Sequence, residues 1–522
     1  MDSMNNKTVV LIAFEEQDNL GIGYLGSSLQ QGGFQVQVVD FRIGKNEILS
    51  ILELLDPLIV GFSIIFQHYI DDFRNLIGFL RAKKVKCHFS AGGHYPSLSY
   101  EELFGLIPDL DSVVLFEGEI TFLELAHALL EDLDWKNILG IAYQKNGQVY
   151  TTGLRPLEKD LDRFPPPLRR PLQKYAFDKK FATLLAGRGC FYNCAFCSIH
   201  EFYSTPPGPI KRVRQPEMVV REMELLHEQG CSVFLFQDDD FPINYQKGSW
   251  LDSYLKGLKD NGLNNDEIIW KINCRPDEVS YETFSTMKSH GLFLTYLGIE
   301  SGTDEGLARM NKHTKVETNL EAVQILKDLE IVFDFGFMLF DPSSTIESIS
   351  RNIDFLETIC CDGSSPITFC KMLPYAGTKI ERELRSAGRL IGRVGREDYH
   401  FVDPNVDNLY TLMVKCFADW IGDHDGVLNL ARWVRYFLAV YRKHYTVTEK
   451  YLEQAEEAQR IIAMSNAYFI QVSREMLAQH HIINTDYSLW EMKIIEKVRN
   501  SHEQFRKDLN SVIDSVETLT LS

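Results

Sequence analysis

The feature that most restricts the fold is an alternation of short apolar segments with amphipathic segments, which occurs in two series along the 522 residues. In the first series, up to about residue 130, five β-branched runs are each followed by a helix-like segment. Such repetition builds a parallel sheet covered by helices. The runs are Thr8 to Phe14, Gln35 to Asp40, Leu58 to Ile64, Lys86 to Ala91 and Ser112 to Phe116. We therefore predict an α/β protein that opens with a doubly wound parallel sheet.

A second series of strand-like runs, again followed by helix-like segments, fills the middle of the chain. The runs are Thr183 to Ala186, Ser232 to Gln237, Ile268 to Arg275, Leu292 to Gly298, Phe333 to Phe340 and Ile367 to Leu373. Six successive βα units predict an open partial (βα)6 barrel. Past about residue 400 the strand pattern ends and helical spacing takes over. These helical segments are Leu409 to Trp420, Leu428 to Arg442 and Tyr451 to Met464.

A proline-rich run separates the two series. It reads Phe164-Pro165-Pro166-Pro167-Leu168, a composition that favours an extended connector. We predict a first domain over residues 1–140, a linker over 141–180, a barrel domain over 181–395 and a helical C-terminal domain over 396–522.

Composition and charge exclude several classes of function. The chain is 45% hydrophobic and 24% charged, as globular proteins are, and its net charge of −19 disfavours nucleic acid as a partner. Ten cysteines are too few for a disulfide scaffold and indicate a reducing compartment. The sequence contains no run of 18 apolar residues and no basic flank before its first apolar segment. We therefore expect a cytoplasmic protein without an integral membrane segment.

Three cysteines crowd one loop directly after the first strand of the second series. They are Cys190, Cys194 and Cys197. Thiolates at this spacing can hold one iron–sulfur cluster whose fourth iron stays open to another ligand. Two alternatives are a zinc site completed by His200 and three buried cysteines that act as small hydrophobic residues. The glycines beside the cysteines, Gly187 and Gly189, and the barrel pattern that follows favour the cluster.

The motif Cys190-x-x-x-Cys194-x-x-Cys197, with Phe196 before its last cysteine, resembles the signature of the radical S-adenosylmethionine (radical SAM) enzymes. Later segments resemble the strand ends of the same family, up to about residue 390. They are Phe236 to Phe241, Asn273 to Asp277, Leu297 to Gly302 and Met310 to Thr314. The resemblance implies that the three cysteines ligate a [4Fe-4S] cluster and that Phe196 packs against the adenine of SAM.

The resemblance also makes Asp239, Arg275 and Glu300 candidates for contacts with the polar groups of SAM. A guanidinium pairs with a carboxylate, and a carboxylate accepts from ribose hydroxyls or an ammonium. Two other interpretations stay open. Arg275 and Asp277 can form a surface ion pair, and Asp238 to Asp240 can form a helix cap or a solvated loop.

One turn departs from the family pattern. After the fifth strand of the second series, Asp341-Pro342-Ser343-Ser344-Thr345 contains no glycine. We expect Asp341 or Ser344 to cap the following helix.

The first domain contains a second motif, Gly21-Ile22-Gly23-Tyr24-Leu25-Gly26, which reads as GxGxxG. A dinucleotide fingerprint directly follows its strand, whereas Glu15 to Leu20 intervene here, so a nucleotide is not favoured. The domain instead resembles the cobalamin-binding domain fused ahead of many radical SAM enzymes. The resemblance implies cobalamin contacts from residues near the strand ends. These are Gly21, Gly23, Ser63, Gly92, Gly93, Glu117 and Gly118.

The Asp-x-His-x-x-Gly motif that places a histidine on cobalt in some cobalamin proteins does not occur. His68, His88 and His94 are therefore interpreted as hydrogen-bonded loop residues or core residues. The lower cobalt ligand stays open.

A cobalamin domain ahead of a radical SAM barrel implies methyl transfer. In this reading, a 5′-deoxyadenosyl radical abstracts hydrogen from an unactivated carbon of a small-molecule or peptide substrate, and methylcobalamin supplies the methyl group. An external electron donor of the flavodoxin or ferredoxin type is implied as well. Ring closure or rearrangement by an enzyme of the same layout remains an alternative. A non-enzymatic iron–sulfur electron carrier or a cobalamin sensor is the alternative from another class.

The C-terminal region carries an aromatic stripe at helical spacing, Trp433, Tyr436, Phe437 and Tyr441. Such a stripe is typical of a core. The alternative is that it caps the substrate cavity.

Overall fold

The computed structural model describes residues 7–15, 19–263, 266–479 and 485–519. Contacts divide the chain into two units, and the chain alternates between them. Unit 1 contains Met1–Pro171, Gly187–Gln215 and Leu373–Asp398, and unit 2 contains Leu172–Ala186, Pro216–Met372 and Tyr399–Ser522. The domain boundaries at residues 140, 180 and 395 stay a prediction, since this division groups segments by contact alone.

The first series of apolar runs forms a seven-stranded sheet in unit 1. Its strands are β1 Thr8–Ala13, β2 Gln35–Asp40, β3 Ile59–Ser63, β4 His88–Gly92, β5 Ser112–Val114, β6 Ile141–Lys145 and β7 Gln148–Thr151. The order is β2-β1-β3-β4-β5-β6-β7, with β1 to β5 parallel and β6 and β7 antiparallel. The predicted parallel sheet is confirmed, and an antiparallel hairpin extends it.

Helices cover both faces of this sheet. They are α1 Leu20–Gln31, α2 Lys45–Leu55, α3 Ile70–Ala82, α4 His94–Leu98, α5 Tyr100–Leu106 and α6 Glu119–Leu130. Alternate residues of β1 point to opposite faces, so Val10 and Ile12 lie in one core while Val9 and Leu11 lie in another. A strand buried on both faces needs the continuous apolar run from which it was predicted.

The second series forms a curled half-barrel sheet in unit 2. The strands after β7 are β8 Lys174–Ala176, β9 Lys179–Leu184, β10 Gly187–Arg188, β11 Arg212–Val213, β12 Cys231–Phe236, β13 Ile269–Cys274, β14 Leu292–Glu300, β15 Val332–Phe340, β16 Cys370–Lys371, β17 Leu390–Arg393 and β18 Arg396–Tyr399. The half-barrel has the order β16-β15-β14-β13-β12-β9-β8. All its neighbours are parallel except β8 and β9. The predicted open (βα)6 barrel is confirmed.

Helices follow the barrel strands and fill the C-terminal region. They are α7 Ser198–Ser204, α8 Pro216–His227, α9 Ser249–Asp260, α10 Tyr281–Ser289, α11 Asp304–Arg309, α12 Val316–Asp328, α13 Ile346–Cys360, α14 Lys379–Ser386, α15 Pro404–Gly422, α16 Val427–His444, α17 Glu449–Gln479 and α18 Thr485–Thr518. Among the helices that the structure describes, none combines the length and the apolar composition needed to cross a bilayer.

The aromatic stripe lies on α16 and packs into the half-barrel. Tyr436 and Phe437 contact a core that includes Val233 and Leu235 of β12 and Ile269 at the start of β13. Tyr436 and Phe437 of the aromatic stripe therefore belong to the core. The predicted helical C-terminus is confirmed. α17 is longer than the segment predicted for it, and α18 lies in the part that was predicted to be helical without named bounds.

Candidate active site

The loop with the three cysteines is fixed by the backbone on either side of it, within unit 1. Before the loop, β10 pairs antiparallel with β11. Gly189 has a φ of 80°, and an added Cβ there would lie 1.9 Å from the carbonyl oxygen of Ile210. Only glycine fits this position. At the end of the loop, the amide of Cys197 donates to the carbonyl of Cys194 at 3.1 Å, and α7 begins at the next residue.

The three thiols of this loop are partly exposed, whereas Cys231 and Cys274 are buried in the core. The loop is also anchored at its middle, because the carbonyl of buried Ala195 accepts from the amide of Ile380 at 3.1 Å. Three accessible thiols on an anchored loop match the donor set of an iron–sulfur cluster. They do not match the interpretation of three buried cysteines. Within the described ranges, no three His, Cys, Asp or Glu side chains converge on a position for a single metal ion.

A buried ion network ties the start of the cysteine loop to the end of β5. Arg188 Nη1 lies 3.0 Å from Glu117 Oε1, and Arg188 Nη2 lies 2.7 Å from Glu119 Oε1. Arg212 Nη1 lies 2.8 Å from the other oxygen of Glu117. Burial acts to raise the pKa of Glu117, but the two guanidinium groups outweigh it and hold that pKa below its usual value. The carboxylate predicted to contact cobalamin is therefore engaged by two arginines, a partnership that the sequence did not reveal.

The glycines predicted on α1 have different surroundings. Gly21 is exposed, and an added Cβ would meet only the side chain of Asn19, at 3.6 Å. Gly23 is buried under the proline-rich connector, where an added Cβ would lie 2.8 Å from Pro167 Cβ and from the carbonyl oxygen of Leu168. Packing of the connector is enough to require glycine at position 23.

The remaining predicted cobalamin residues of the first sheet lie at its carboxyl edge. Ser63 and Gly92 are register partners at the ends of β3 and β4, and both are partly exposed. Gly93 has a φ of 112° and immediately precedes α4, while Gly118 immediately precedes α6. Parallel α/β sheets bind ligands at this edge.

The three histidines of the first domain match the interpretation as loop or core residues. His94 stacks on Phe202 of α7, with ring centroids 4.2 Å apart and planes 7° apart, and burial lowers its pKa to about 4. His88 lies at the amino end of β4, where its Nε2 is 2.8 Å from Ser112 Oγ. His68 is exposed and its ring stacks on Phe66.

In unit 2, the acidic trio after β12 has three different environments. Asp238 is buried and accepts from the amide of Ala186 at 3.0 Å, so it fixes the end of β9. Asp239, the predicted SAM contact, is exposed at the strand end. Asp240 is buried beside Glu278, and burial together with the Asp240 charge raises the pKa of Glu278 to about 9.

Arg275 is buried at the end of β13, with 5% of its surface exposed. Its Nε lies 2.9 Å from Asp277 Oδ1, and its Nη2 donates to the carbonyl oxygen of Lys312 at 2.5 Å. The ion pair with Asp277 therefore exists, but with the arginine buried. Its guanidinium connects the end of β13 to the loop after α11.

Glu300 ends β14 in a strained backbone conformation. Its φ is 68°, and the pairing with β15 is irregular between Gly298 and Glu300. Burial raises the pKa of the Glu300 carboxyl, and Lys312, whose Nζ lies 3.4 Å from Glu300 Oε1, opposes that rise. Sequence reasoning did not single out Lys312 or Tyr296, which lies on the same strand face as Glu300. The period of two along β14 is the signal that identifies Tyr296.

The turn without glycine is built from side-chain hydrogen bonds. Ser344 Oγ accepts from the amide of Asp341 at 2.8 Å, and Asp341 Oδ1 accepts from the amide of Ser343 at 2.7 Å. The expected cap was wrong by one residue or more, because Thr345 caps α13 by accepting from the amide of Ser348. Asp341 and Ser344 are already used inside the turn.

Comparison with known families assigns both α/β regions. The chain matches the Radical SAM superfamily over residues 184–356 and the B12 binding domain over residues 7–126. The first match includes the cysteine loop and the strand ends described above, and the second includes the carboxyl edge of the first sheet.

Two relatives match more than two thirds of the chain. The chain is 29% identical, over 74% of its length and 82% of the relative's, to an uncharacterized methyltransferase of Pyrococcus horikoshii. It is 28% identical, over 69% of its length and 66% of the relative's, to an anaerobic magnesium-protoporphyrin IX monomethyl ester cyclase of Rubrivivax gelatinosus.

Two solved structures share the fold. OxsB, a cobalamin-dependent S-adenosylmethionine radical enzyme solved with aqua-cobalamin and SAM, superposes with a TM-score of 0.66 at 17% identity, over 98% of this chain and 84% of that one. The methyltransferase TsrM from Kitasatospora setae superposes with a TM-score of 0.60 at 17% identity, over 74% and 77%.

Proposed function

Because this chain belongs to the cobalamin-dependent radical SAM enzymes, we propose that it methylates an unactivated carbon of a small-molecule or peptide substrate. The observation that carries the proposal is the pairing, in one unit, of an anchored three-thiol loop with the carboxyl edge of the B12-type sheet. When bound, the [4Fe-4S] cluster, SAM and cobalamin supply the electron, the radical and the methyl group. The protein supplies binding, orientation and exclusion of water.

Cys190, Cys194 and Cys197 are proposed as the three protein ligands of the cluster. Their partial exposure leaves the sulfur atoms accessible, and the anchored backbone at Gly189 and Ala195 holds them in one place. Phe196, half-buried between two of these cysteines, is proposed to pack against adenine.

Three strand-end residues of unit 2 are proposed as contacts for SAM. Asp239 is exposed at the end of its strand, where its carboxylate is accessible to a ligand. The raised pKa of Glu300 and its lysine partner give a carboxyl group whose charge is balanced locally. Arg275 already has Asp277 as a partner, so a contact with SAM requires that its guanidinium serve both.

For cobalamin, the structure favours Gly21, Ser63, Gly92 and Gly118 as contacts, because they lie at or near the carboxyl edge and are at least partly exposed. Gly93 lies at the same edge and is proposed too, although its Cβ position packs against the backbone of Ile64. Gly23 and Glu117 are proposed as contacts too, although each already has a structural role in packing or ion pairing. Small residues at this edge leave room for a flat macrocycle.

An external electron donor of the flavodoxin or ferredoxin type is also proposed. The sequence supports it because the other cysteines are scattered at positions 87, 231, 274, 360, 361, 370 and 416, without a second motif for a relay cluster. Reduction of the site then requires a partner.

The proposed function is tested with anaerobically prepared holoenzyme, a low-potential reductant and SAM that carries a deuterated methyl group. We expect S-adenosylhomocysteine and 5′-deoxyadenosine to form and, with the correct substrate, a product that contains the deuterated methyl group on carbon. A product that is ring-closed or oxidised and carries no label would contradict methylation and favour the cyclase alternative, which the protoporphyrin cyclase relative keeps open. Absence of all SAM turnover would favour an electron carrier.

A further inference from the structure

The concave face of the half-barrel carries charged side chains that none of the proposed cofactor contacts uses. Strand pairing puts Asn273, Tyr296 and Asp334 side by side on β13, β14 and β15. Because side chains alternate along a strand, Lys271 faces the same side as Asn273. The amino-terminal part of this face is filled by α16, through Tyr436 and its neighbours. Lys271, Asn273, Tyr296 and Asp334, which we call the polar row, therefore lie directly beyond this apolar core.

Two cations near this row already have carboxylate partners. Arg435 Nη1 lies 2.9 Å from Asp334 Oδ1, and the Tyr436 hydroxyl donates to the other oxygen of Asp334. Lys312 Nζ lies 3.4 Å from Glu300 Oε1. Both carboxylates are thus occupied.

Lys271 pairs with no carboxylate among the ion pairs of the described residues, whereas Arg432 shares the Asp334 carboxylate with Arg435. Lys271 Nζ donates to neutral oxygens, Asn273 Oδ1 at 2.5 Å and the Phe236 carbonyl at 3.4 Å. Arg432 Nε lies 3.8 Å from the shared Asp334, is buried, and has no hydrogen-bond partner in the part of the chain that the structure describes. Burial lowers the pKa of Lys271 to about 8, although nearby carboxylates oppose the decrease.

The polar row faces a recess that is accessible to water, because Tyr296 is exposed and Lys271 and Asn273 are only partly buried. Gly298 and Gly336 are register partners at the next level of the sheet, where the side chains of Lys312 and Glu300 lie beside them. An added Cβ at Gly336 would lie 3.0 Å from the Tyr296 hydroxyl, which marks the recess as close to that hydroxyl. Tyr296 is 39% exposed as a residue, yet burial of its hydroxyl end raises its pKa, so the hydroxyl stays a neutral donor. Cys370 on β16 is exposed as well.

We propose that this recess binds the substrate through an anionic group, a carboxylate or a phosphoryl group, held by Lys271 and Arg432 with the Tyr296 hydroxyl as a third donor. The inference rests on the proposed function, because it names the class of substrate that the enzyme takes. A cation that has no counter-ion, or only shares one, is costly in a partly buried site, and a bound anion offsets that cost. Guanidinium groups also bind carboxylate and phosphoryl oxygens in pairs. The overall charge of −19 repels anions, so these cations act through local contact.

Three probes with one carbon skeleton test the proposal: glycerol 3-phosphate, glycerate and glycerol. Each is titrated calorimetrically into full-length holoenzyme that contains SAM. We expect the two anions to bind and glycerol not to bind, with Lys271→Met and Arg432→Met each weakening anion affinity by at least about tenfold. Lys271→Arg keeps the charge and should retain most of the affinity. The anion that binds with the higher affinity shows whether the substrate group is a phosphoryl group or a carboxylate.

The matched control is Lys180→Met, which removes a lysine of β9 that bonds the Gln229 carbonyl away from the polar row. It should leave anion affinity unchanged. Binding of glycerol equal to that of the anions, or unchanged affinity in both Lys271→Met and Arg432→Met, would overturn the proposal. A loss of SAM affinity in these variants, with anion affinity intact, would overturn it too, because the cations would then serve SAM.

If the two methionine variants fail to fold, a variant that should bind anions more tightly tests the proposal instead. Asp334→Asn removes the carboxylate that Arg432 and Arg435 share, so anions should bind several-fold more tightly. Unchanged or weaker binding in a folded Asp334→Asn protein argues against the site. SAM turnover, measured in the same samples, keeps the two proposals apart: its absence in the wild type defeats the proposed function, whereas failed anion binding in an enzyme that turns over SAM defeats only this inference.

Discussion

At the residue scale, the candidate site depends on cysteine thiols that are accessible, whereas other cysteines of the same chain are buried. Cys194 is partly exposed on the anchored loop, whereas Cys231 is fully buried in β12. The same thiol can therefore serve as a ligand in one place and as a core residue in the other.

Replacing Cys194 by alanine should abolish cluster assembly. The physical reason is that two thiolates on one loop cannot hold a cluster that needs three protein ligands. Iron and sulfide analysis after anaerobic reconstitution should show both near zero, and SAM turnover should be lost. The control Cys231→Ala should keep its iron while its stability falls because a buried side chain is truncated. Normal iron content in Cys194→Ala would show that this cysteine is not a ligand.

His94 makes stability depend on pH. Burial lowers its pKa from 6.5 to about 4, so the folded state keeps the ring neutral where the unfolded state binds a proton. The stabilisation is complete above the unfolded pKa and is lost as pH falls through the window from 6.5 to about 4. Between pH 7.5 and 5.5 we expect a loss of about 1 kcal/mol from this group.

Thermal unfolding at the two pH values measures this effect. His94→Phe keeps the ring that stacks on Phe202 and should reduce the acid sensitivity, whereas replacement of the exposed His424 by asparagine should not. Equal acid sensitivity in wild type and His94→Phe would show that His94 does not contribute.

At the scale of elements, loop conformation is set by close backbone contacts as much as by the cysteines. Gly189 combines a positive φ with a contact to Ile210 that leaves no room for a Cβ. Gly33, between α1 and β2, has a similar φ of 86° with nothing within 4 Å of an added Cβ. Comparing substitutions at Gly189 and Gly33 therefore separates the effect of backbone strain from that of steric exclusion.

Gly189→Ala should therefore destabilise unit 1 more than Gly33→Ala does. Strain alone costs about 1–2 kcal/mol, which is our expectation for Gly33→Ala. The clash at Gly189 should add more than about 2 kcal/mol and displace the loop. Chemical denaturation measures the first effect, and iron content after reconstitution measures the second. Equal losses of stability in Gly189→Ala and Gly33→Ala would mean that the backbone at Ile210 moves easily to make room for a Cβ.

At the scale of the whole molecule, the chain order differs from the grouping of segments. The cysteine segment follows β9 of unit 2 in sequence but belongs to unit 1, where Arg188 and Arg212 meet Glu117. The side chains of both arginines are at most 10% exposed. Buried ion pairs of this kind are costly when one partner is removed.

Arg188→Met should leave two buried carboxylates without that partner and cost roughly 3–5 kcal/mol, which corresponds to a decrease in melting temperature of roughly 5–20 °C. Arg163→Met is the control, because Arg163 pairs with Glu158 at 2.8 Å but its side chain is 63% exposed. Its loss should cost at most about 1 kcal/mol. Calorimetry compares the two variants, and similar decreases would indicate that the Arg188 network is not a major source of stability.

The local pattern of the sequence determined the strands, the helices that follow them and the loop with three thiols. These features depend on periods of two and 3.6 residues and on the spacing of neighbours, which a short stretch of chain contains in full. Tertiary structure alone decided that Glu117 pairs with Arg188 and Arg212, and that Gly23 lies under Pro167.

The same distinction holds for the recess in the half-barrel. That α16 is a helix follows from its own sequence. Its packing against β12 and β13 and the approach of Arg432 to Asp334, however, join residues that are about one hundred to two hundred positions apart. Such pairings depend on how separate elements pack, and the burial that changes the pKa of Lys271 or Glu300 exists only after packing. The sequence by itself therefore determined the elements and the class of chemistry, while the folded chain decided which charges are left to meet a ligand.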